Sequence, residues 1–274
     1  MNITKKRIAI ISAIGIALFI LWLSIPLVLV VQQSVKPKLY MFSDPPTFIF
    51  KPTIEHFRDV LSQDISQYMG NSFIVAAFST ALCLILGSMC AYALSRLRLP
   101  GQNFWAFFIL VTRMVPAGTL MVPLYVIMRS FGILNTHIAI ILTHATLNLP
   151  FTIWMMRSFF DDLPEALEEA AMIDGCSRLR LFMVIAMPLS APGLVATGIL
   201  TIIYSWNELM FSLILSDAST RTLPVWISGF ISQVSINWGG SSAATVIACV
   251  PIFIAGIAVQ KYLVRGLTMG AVKG

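Results

Sequence analysis

The sequence is poor in charge. Of 274 residues, 18 are Lys or Arg and 12 are Asp or Glu, together 11%, where a soluble domain carries about 25%. A soluble protein of this size needs a charged shell, and this chain lacks the residues to build one. Cysteine is scarce too. Three of Cys83, Cys90, Cys176 and Cys249 lie inside apolar stretches and none forms a close pair, which argues against a disulfide framework or a zinc site. No G-x-x-x-x-G-K-[ST] phosphate loop, H-E-x-x-H helix or G-x-S-x-G elbow occurs, so nucleotide hydrolysis, zinc proteolysis and elbow-type hydrolysis lose their usual carriers. What is present is apolar: 58% hydrophobic residues and a mean hydropathy of +0.86. These values describe an all-α polytopic membrane protein.

The net charge of +6 fits the excess of Lys and Arg on cytoplasmic loops and the anionic lipids there. No basic run is interleaved with exposed aromatics, so no nucleic-acid partner is expected.

A span needs about 20 mostly apolar residues. Six are expected, at about 8–31, 71–95, 104–128, 138–156, 189–215 and 243–263. The first follows Lys5, Lys6 and Arg7. It is too long for a signal-peptide apolar region and lacks a small-x-small cleavage site, so a retained helix is expected. The third is interrupted by Arg113, Pro116 and Pro123. Trp226 to Val234 reads as a short interfacial or re-entrant helix, and Ser235 to Ser242 as too polar to span. Six spans put both termini on one side. Lys5, Lys6, Arg7, Arg96, Arg98, Arg157, Arg178, Arg180, Lys261, Arg265 and Lys273 lie near that side, against Arg129 and Arg221 in the short loops opposite. Residues 1–7, the C-terminus and the loop 157–187 are therefore expected in the cytoplasm, with 8–274 as a single transmembrane domain.

Half of the acidic residues fall between Asp161 and Asp174. Asp162 can cap a helix with Glu165 as its capping-box partner. Pro164 suits the first turn, where its missing N–H costs little. Gly175 can stop that helix in a left-handed conformation, Ser177 can start a second, and Pro188 can end it. Ala166, Ala170 and Ala171 lie near one face and permit close approach of another backbone. The element is either a docking helix for a cytoplasmic partner or a solvated amphipathic linker.

Glu169-Ala170-Ala171, two residues, Asp174-Gly175, nine residues, Ile185 and then Pro188 resemble the EAA signature of ABC importer permeases. That signature ends I-x-L-P; Met187 stands here in place of the Leu. Ala91-Tyr92-Ala93-Leu94-Ser95-Arg96, Pro100-Gly101, Trp206-Asn207-Glu208, Arg265-Gly266-Leu267-Thr268 and Gly270 to Gly274 resemble the maltose-type carbohydrate permeases, specifically the shorter permease subunit. The resemblance implies the type I importer fold in a bacterial inner membrane. It implies a homologous second permease, two cytoplasmic ATPase subunits that hold ATP and Mg, and an extracytoplasmic solute-binding protein. This chain would bind no cofactor or metal and have no catalytic residue. Glu165, Glu169, Ala170, Ala171, Asp174, Gly175 and Pro188 would couple to the ATPase: Gly175 as the turn, Ala170 and Ala171 as the close contact, Glu169 and Asp174 as polar anchors. The tail through Gly274 would touch the ATPase pair. The solute would be a sugar, oligosaccharide, glycoside or polyol. A permease for another solute such as glycerol phosphate, a secondary transporter or channel, and an intramembrane enzyme are the alternatives.

Arg113, His144, Asn148, Asn207 and Glu208 lie within expected spans, where ionisable groups are costly and usually face a cavity or a partner. Asn148, Trp206, Asn207 and Glu208 are candidates for a solute path, with Trp206 stacking on a sugar face; interhelical bonding is the other reading. His144 fits interhelical bonding better, and Arg113 is a candidate partner for Glu208.

Overall fold

The computed structural model describes residues 3–97, 99–232 and 236–269. Arg98, Val234, Ser235 and residues 270–274 lie outside the described residues, as do the side chains of Lys5, Lys6, Arg7, Lys261 and Arg265. Helices come in the order α1 (Ile3–Ser34), α2 (Glu55–Leu61), α3 (Ile65–Arg96), α4 (Gln102–Thr112), α5 (Ala117–Ser130), α6 (His137–Asp161) and α7 (Glu165–Ile173). Then follow α8 (Arg178–Leu181), α9 (Met187–Leu189), α10 (Ala191–Trp206), α11 (Met210–Leu215), α12 (Leu223–Ser228) and α13 (Trp238–Met269). Four helices are long and apolar enough to cross a membrane, in α1, α3, α6 and α13. The bent pairs α4 with α5 and α8–α9 with α10 bring the number to six if each is one span.

The chain forms two compact units, Met1–Ile65 with Ile227–Val250, and Ser66–Trp226 with Pro251–Gly274. In the first, the described part of α1 is exposed on nearly every side. A helix that is apolar all round belongs in lipid. The chain after it folds back on itself. Thr53 N–H donates to Val35 O at 2.8 Å, and buried His56 meets Lys36 O through Nε2 at 2.9 Å. Lys38 bridges Glu55 at 2.9 Å and Asp59 at 3.4 Å. Only glycine fits at 239, because a Cβ there would lie 2.4 Å from the His56 ring. The Asn237 side chain accepts from Gly240 N–H at 2.9 Å and caps α13. That cap starts the last helix at Trp238, five residues before the expected Ala243.

The second unit is held by small and hydroxylated residues. A Cβ on Gly87 would stand 2.7 Å from Thr152, and one on Gly193 2.3 Å from the Phe159 ring. Membrane helices use such positions to bring backbones close. Ser79 meets Ser205 at 3.0 Å, and Thr201 backs onto Thr197 O at 2.8 Å. Ala91, Leu94, Ile153, Met156, Phe160 and Leu181 form one apolar cluster; Val75, Ile140, Phe211 and Leu215 belong to another. The loop after α11 is tied down by Asn71, which donates to Ser219 O and Arg221 O at 2.9 Å. Hydrogen bonds from the Ser219 hydroxyl and amide and from Thr220 hold the Asp217 carboxyl down at about 2.

Several expected boundaries move. The third span is broken: α4 and α5 meet at 93°, because Pro116 has no N–H to donate and disfavours helix at the residue before it. Pro123 stays inside α5 and Pro150 inside α6. The fourth span runs on to Asp161, five residues past Met156. The fifth is interrupted at Asn207 to Leu209, between α10 and α11. Where a helix from Trp226 to Val234 was expected, the short helix is Leu223–Ser228 and does not extend over 229–232.

Candidate functional site

The segment after α6 folds as a helix, a left-handed turn and a second helix. Asp162 does not occupy the N-cap position of α7. It directly follows the last residue of α6, with φ −80° and ψ −12°. Pro164 takes the cap position. Gly175 has φ +83°. Its N–H donates to Met172 O, and Cys176 N–H donates to Ala171 O, both at 3.0 Å. Ser177 precedes the first residue of α8. Pro188 does not end the second helix; the bend falls at Ser190, two residues on. The π-helical turn at Phe182–Ala186 shifts the bonding register just before Pro188, which lets a helix absorb a residue without an N–H.

The face that α7 turns inward was not legible as a site. Glu168 is buried there, between α3 and α6. Arg96 Nε donates to Glu168 Oε1 at 2.8 Å, and the two side chains are only 9% and 8% exposed. Tyr92 Oη donates to Glu168 Oε2 at 3.0 Å. The Arg96 guanidinium also donates to Phe160 O at 2.6 Å and Leu163 O at 2.7 Å. Ser95 Oγ donates to Asp161. One arginine therefore fastens the end of α3 to the end of α6 and to the middle of α7. Charge-assisted bonds of this kind are among the strongest side-chain contacts. A polar cleft of about 530 Å³ opens beside it, lined by Tyr92, Arg96, Gln102, Glu165, Glu169 and Arg178.

The outward face carries Ala166, Glu169, Ala170 and Ile173, all exposed, Ile173 at 87%. Positions 166, 170 and 173 form one stripe at helical spacing. Ala171 leaves that stripe. It is 100° further round the helix than Ala170 and packs against the apolar cluster around Phe160. Asp174 is exposed beside Gly175.

A second polar group lies between α3, α6, α10 and α11. His144 is buried. Its Nδ1 meets Ser205 Oγ at 2.8 Å, and its Nε2 meets Glu208 Oε2 at 3.0 Å. Glu208 also accepts from Phe211 N–H at 2.8 Å, Ser212 N–H at 3.0 Å and Ser212 Oγ at 3.1 Å. It thus caps α11 where the fifth span is interrupted. Arg113 is not the partner of Glu208. The guanidinium carbon sits 5.1 Å from the Phe151 ring centre and 5.2 Å from that of Tyr204. One of its N–H groups reaches Leu147 O at 3.4 Å. Trp206 turns away from open space: it is 4% exposed, with its ring edge-on to Phe73 at 4.8 Å. Asn148 is buried and donates to His144 O at 2.9 Å. Asn207 is the candidate with an exposed side chain.

Glu208→Ala removes the acceptor from a buried imidazole N–H and from two helix-start amides. A lost cap costs about 0.5–2 kcal/mol and a stranded buried donor about 1–3 kcal/mol. The thermal midpoint of the detergent-solubilised protein is expected to fall by roughly 5–10 °C, at about 2–4 °C per kcal/mol. Glu208→Gln, which keeps an acceptor oxygen, should lose less than half of that. Equal losses would show that the carboxylate oxygens do not cap α11.

The family model described as "Binding-protein-dependent transport system inner membrane component" matches residues 83–269. The trehalose/maltose transport system permease protein MalG of Thermococcus litoralis is 36% identical over 284 residues, covering 100% of this chain and 99% of that protein. The sulfoquinovosyl glycerol transport system permease protein SmoH of Agrobacterium fabrum is 37% identical over 252 residues, 91% of this chain and 88% of that one. Among solved structures, a chain of a bacterial ABC transporter involved in the import of the acidic polysaccharide alginate superposes with a TM-score of 0.79 at 24% identity, covering 96% of this chain and 98% of that one. That likeness gives the fold, the helical architecture of an ABC importer permease. With the family match spanning both the α7 element and the His144–Glu208 cluster, the chain belongs to the binding-protein-dependent transport system inner membrane components, as a multi-pass permease subunit.

Proposed function

We propose that this chain is a permease subunit of an ATP-driven carbohydrate importer of the bacterial inner membrane. Both termini and α7 face the cytoplasm. A homologous second permease completes the pore, two ATPase subunits hold ATP and Mg, and an extracytoplasmic binding protein delivers the solute. The chain has no phosphate loop of its own, which supports a transport role without hydrolysis. The saccharides in the names of its relatives support a sugar, oligosaccharide, glycoside or polyol as cargo.

The observation that carries the mechanism is the two-sided α7. Its outward stripe of Ala166, Ala170 and Ile173 is small and apolar, with Glu165, Glu169 and Asp174 around it. Such a face suits a cleft on an ATPase subunit. Its inward face is pinned to α3 and α6 through Glu168 and Arg96. Closure of the ATPase pair then moves α7, and the pinned helices move with it as one body. That motion switches the pore between its two faces.

The test is assembly and energetics. A tagged chain expressed with its neighbouring subunits should copurify an ATPase. In proteoliposomes, uptake of radiolabelled trehalose, maltose or a related saccharide should require ATP and binding protein, and vanadate should stop it. Uptake driven by an ion gradient without ATP would contradict the proposal.

A further inference from the structure

Arg113 has no role in α7 or in the His144 cluster. It stands at the break between α4 and α5. Helix α4 has 11 residues, about 16 Å at 1.5 Å per residue, which is half of a hydrocarbon core of about 30 Å. Arg113 therefore sits near mid-depth. The side chain is exposed, and among the described residues no carboxylate lies within ion-pair distance of it. A bare guanidinium facing lipid at that depth is costly, more so than two ring contacts offset. It belongs on a wet path.

Its surroundings have the chemistry of a saccharide station. Tyr204 is 47% exposed and stands edge-on to Phe151 at 5.5 Å. Together the rings hold the guanidinium plane. Asn207, one turn along from Tyr204, is exposed. Its Nδ2 is used on Ile203 O at 2.8 Å, which leaves the amide oxygen to accept from a hydroxyl. Asn207 also marks the second helix interruption, after α10. Interrupted membrane helices are where transporters bind solute at mid-depth. A planar guanidinium with unused N–H groups is suited to a two-oxygen anion.

We infer that Arg113, Phe151, Tyr204 and Asn207 form a solute station and that the saccharide it takes is anionic, carrying a carboxylate, sulfonate or phosphate group. Arg113 grips the anion, Tyr204 offers a face to the sugar ring, and Asn207 accepts from a hydroxyl. This rests on the carbohydrate-permease reading.

The test uses the whole importer with its binding protein in proteoliposomes. Radiolabelled saccharides are supplied in neutral and anionic pairs: glucose against glucuronate, glucose 6-phosphate or 6-deoxy-6-sulfoglucose, and the corresponding disaccharides. The reading is the anionic-to-neutral uptake ratio, so partial losses of assembled protein cancel. At least one anion should enter in preference to its neutral partner. Arg113→Gln should lower that ratio tenfold or more with the binding protein unchanged, and Arg113→Lys should retain most of it. The arm that responds identifies which anion is carried. Neutral saccharides entering without any anionic one, or an unchanged ratio in Arg113→Gln, overturns the inference and leaves the carbohydrate reading standing. Entry of no saccharide of either kind overturns both.

Discussion

Arg96→Met inserts into the membrane but loses coupled import. The substitution strands the Glu168 carboxylate in a site where it is 8% exposed. It also takes the donors from Phe160 O and Leu163 O. Breaking a buried pair by removing one partner costs about 3–5 kcal/mol. At about 1.4 kcal/mol per factor of ten, that shifts the equilibrium between pinned and unpinned α7 by two orders of magnitude or more. ATP-driven uptake should fall to near background. Glu168→Met should do nearly as much, because it leaves Arg96 buried without its carboxylate and Tyr92 without its acceptor. The Arg96→Met/Glu168→Met double variant should recover a large part of the loss, since apolar side chains of similar volume often replace a buried pair at little cost. Recovery should stay incomplete, because the two carbonyls remain without Arg96. Limited proteolysis of the 162–177 segment reads the same effect independently of transport. Singles should be cut faster than the parent and the double more slowly than either single.

Gly175→Pro abolishes import by a different route. The turn needs φ +83° at this position, and proline fixes φ near −65°. It also deletes the N–H that bonds Met172 O. Gly175→Ala faces only the backbone penalty of a left-handed L-residue, roughly 1–2 kcal/mol, since an added Cβ meets nothing within 4 Å. Gly175→Asn should be milder still, because asparagine visits that region readily. The expected order of uptake is parent, Asn, Ala and then Pro. A Gly175→Pro protein with parental uptake would remove the turn from the mechanism.

The membrane character was legible from charge scarcity and apolar content, and the helix–turn–helix segment after α6 from its density of acids and its Gly turn. Gly175 was legible because a glycine just past a helix commonly stops it in the left-handed region, where other residues meet a Cβ penalty. Glu168 was not. It is one of two adjacent glutamates, and nothing local distinguishes the buried one from exposed Glu169. Its partners Tyr92 and Arg96 lie 76 and 72 residues away, and in the sequence Arg96 reads as a charge that orients the chain and as the end of the Ala91 to Arg96 match, not as a partner of Glu168. The sequence reading places Ala171 near one face with Ala166 and Ala170, although a rotation of 100° per residue turns it away from Ala170 and toward the apolar cluster. The break at Asn207 is hidden because no Pro or Gly lies between Thr201 and Leu215 to mark it; Glu208 reads as a pore group, yet it caps α11 and holds His144. Arg113 was matched to Glu208 by charge, whereas the structure gives the arginine two aromatic rings and the carboxylate a histidine.

In the proposed mechanism, α7 transmits motion through the Arg96–Glu168 pair. ATP hydrolysed per saccharide imported tests it most directly, measured in proteoliposomes with the complete importer for the parent, both Met singles and the double. Each single should hydrolyse ATP while importing little, so that the ratio rises about tenfold or more, and the double should return most of the way to the parental value. Singles that keep the parental ratio at a parental uptake rate would contradict it.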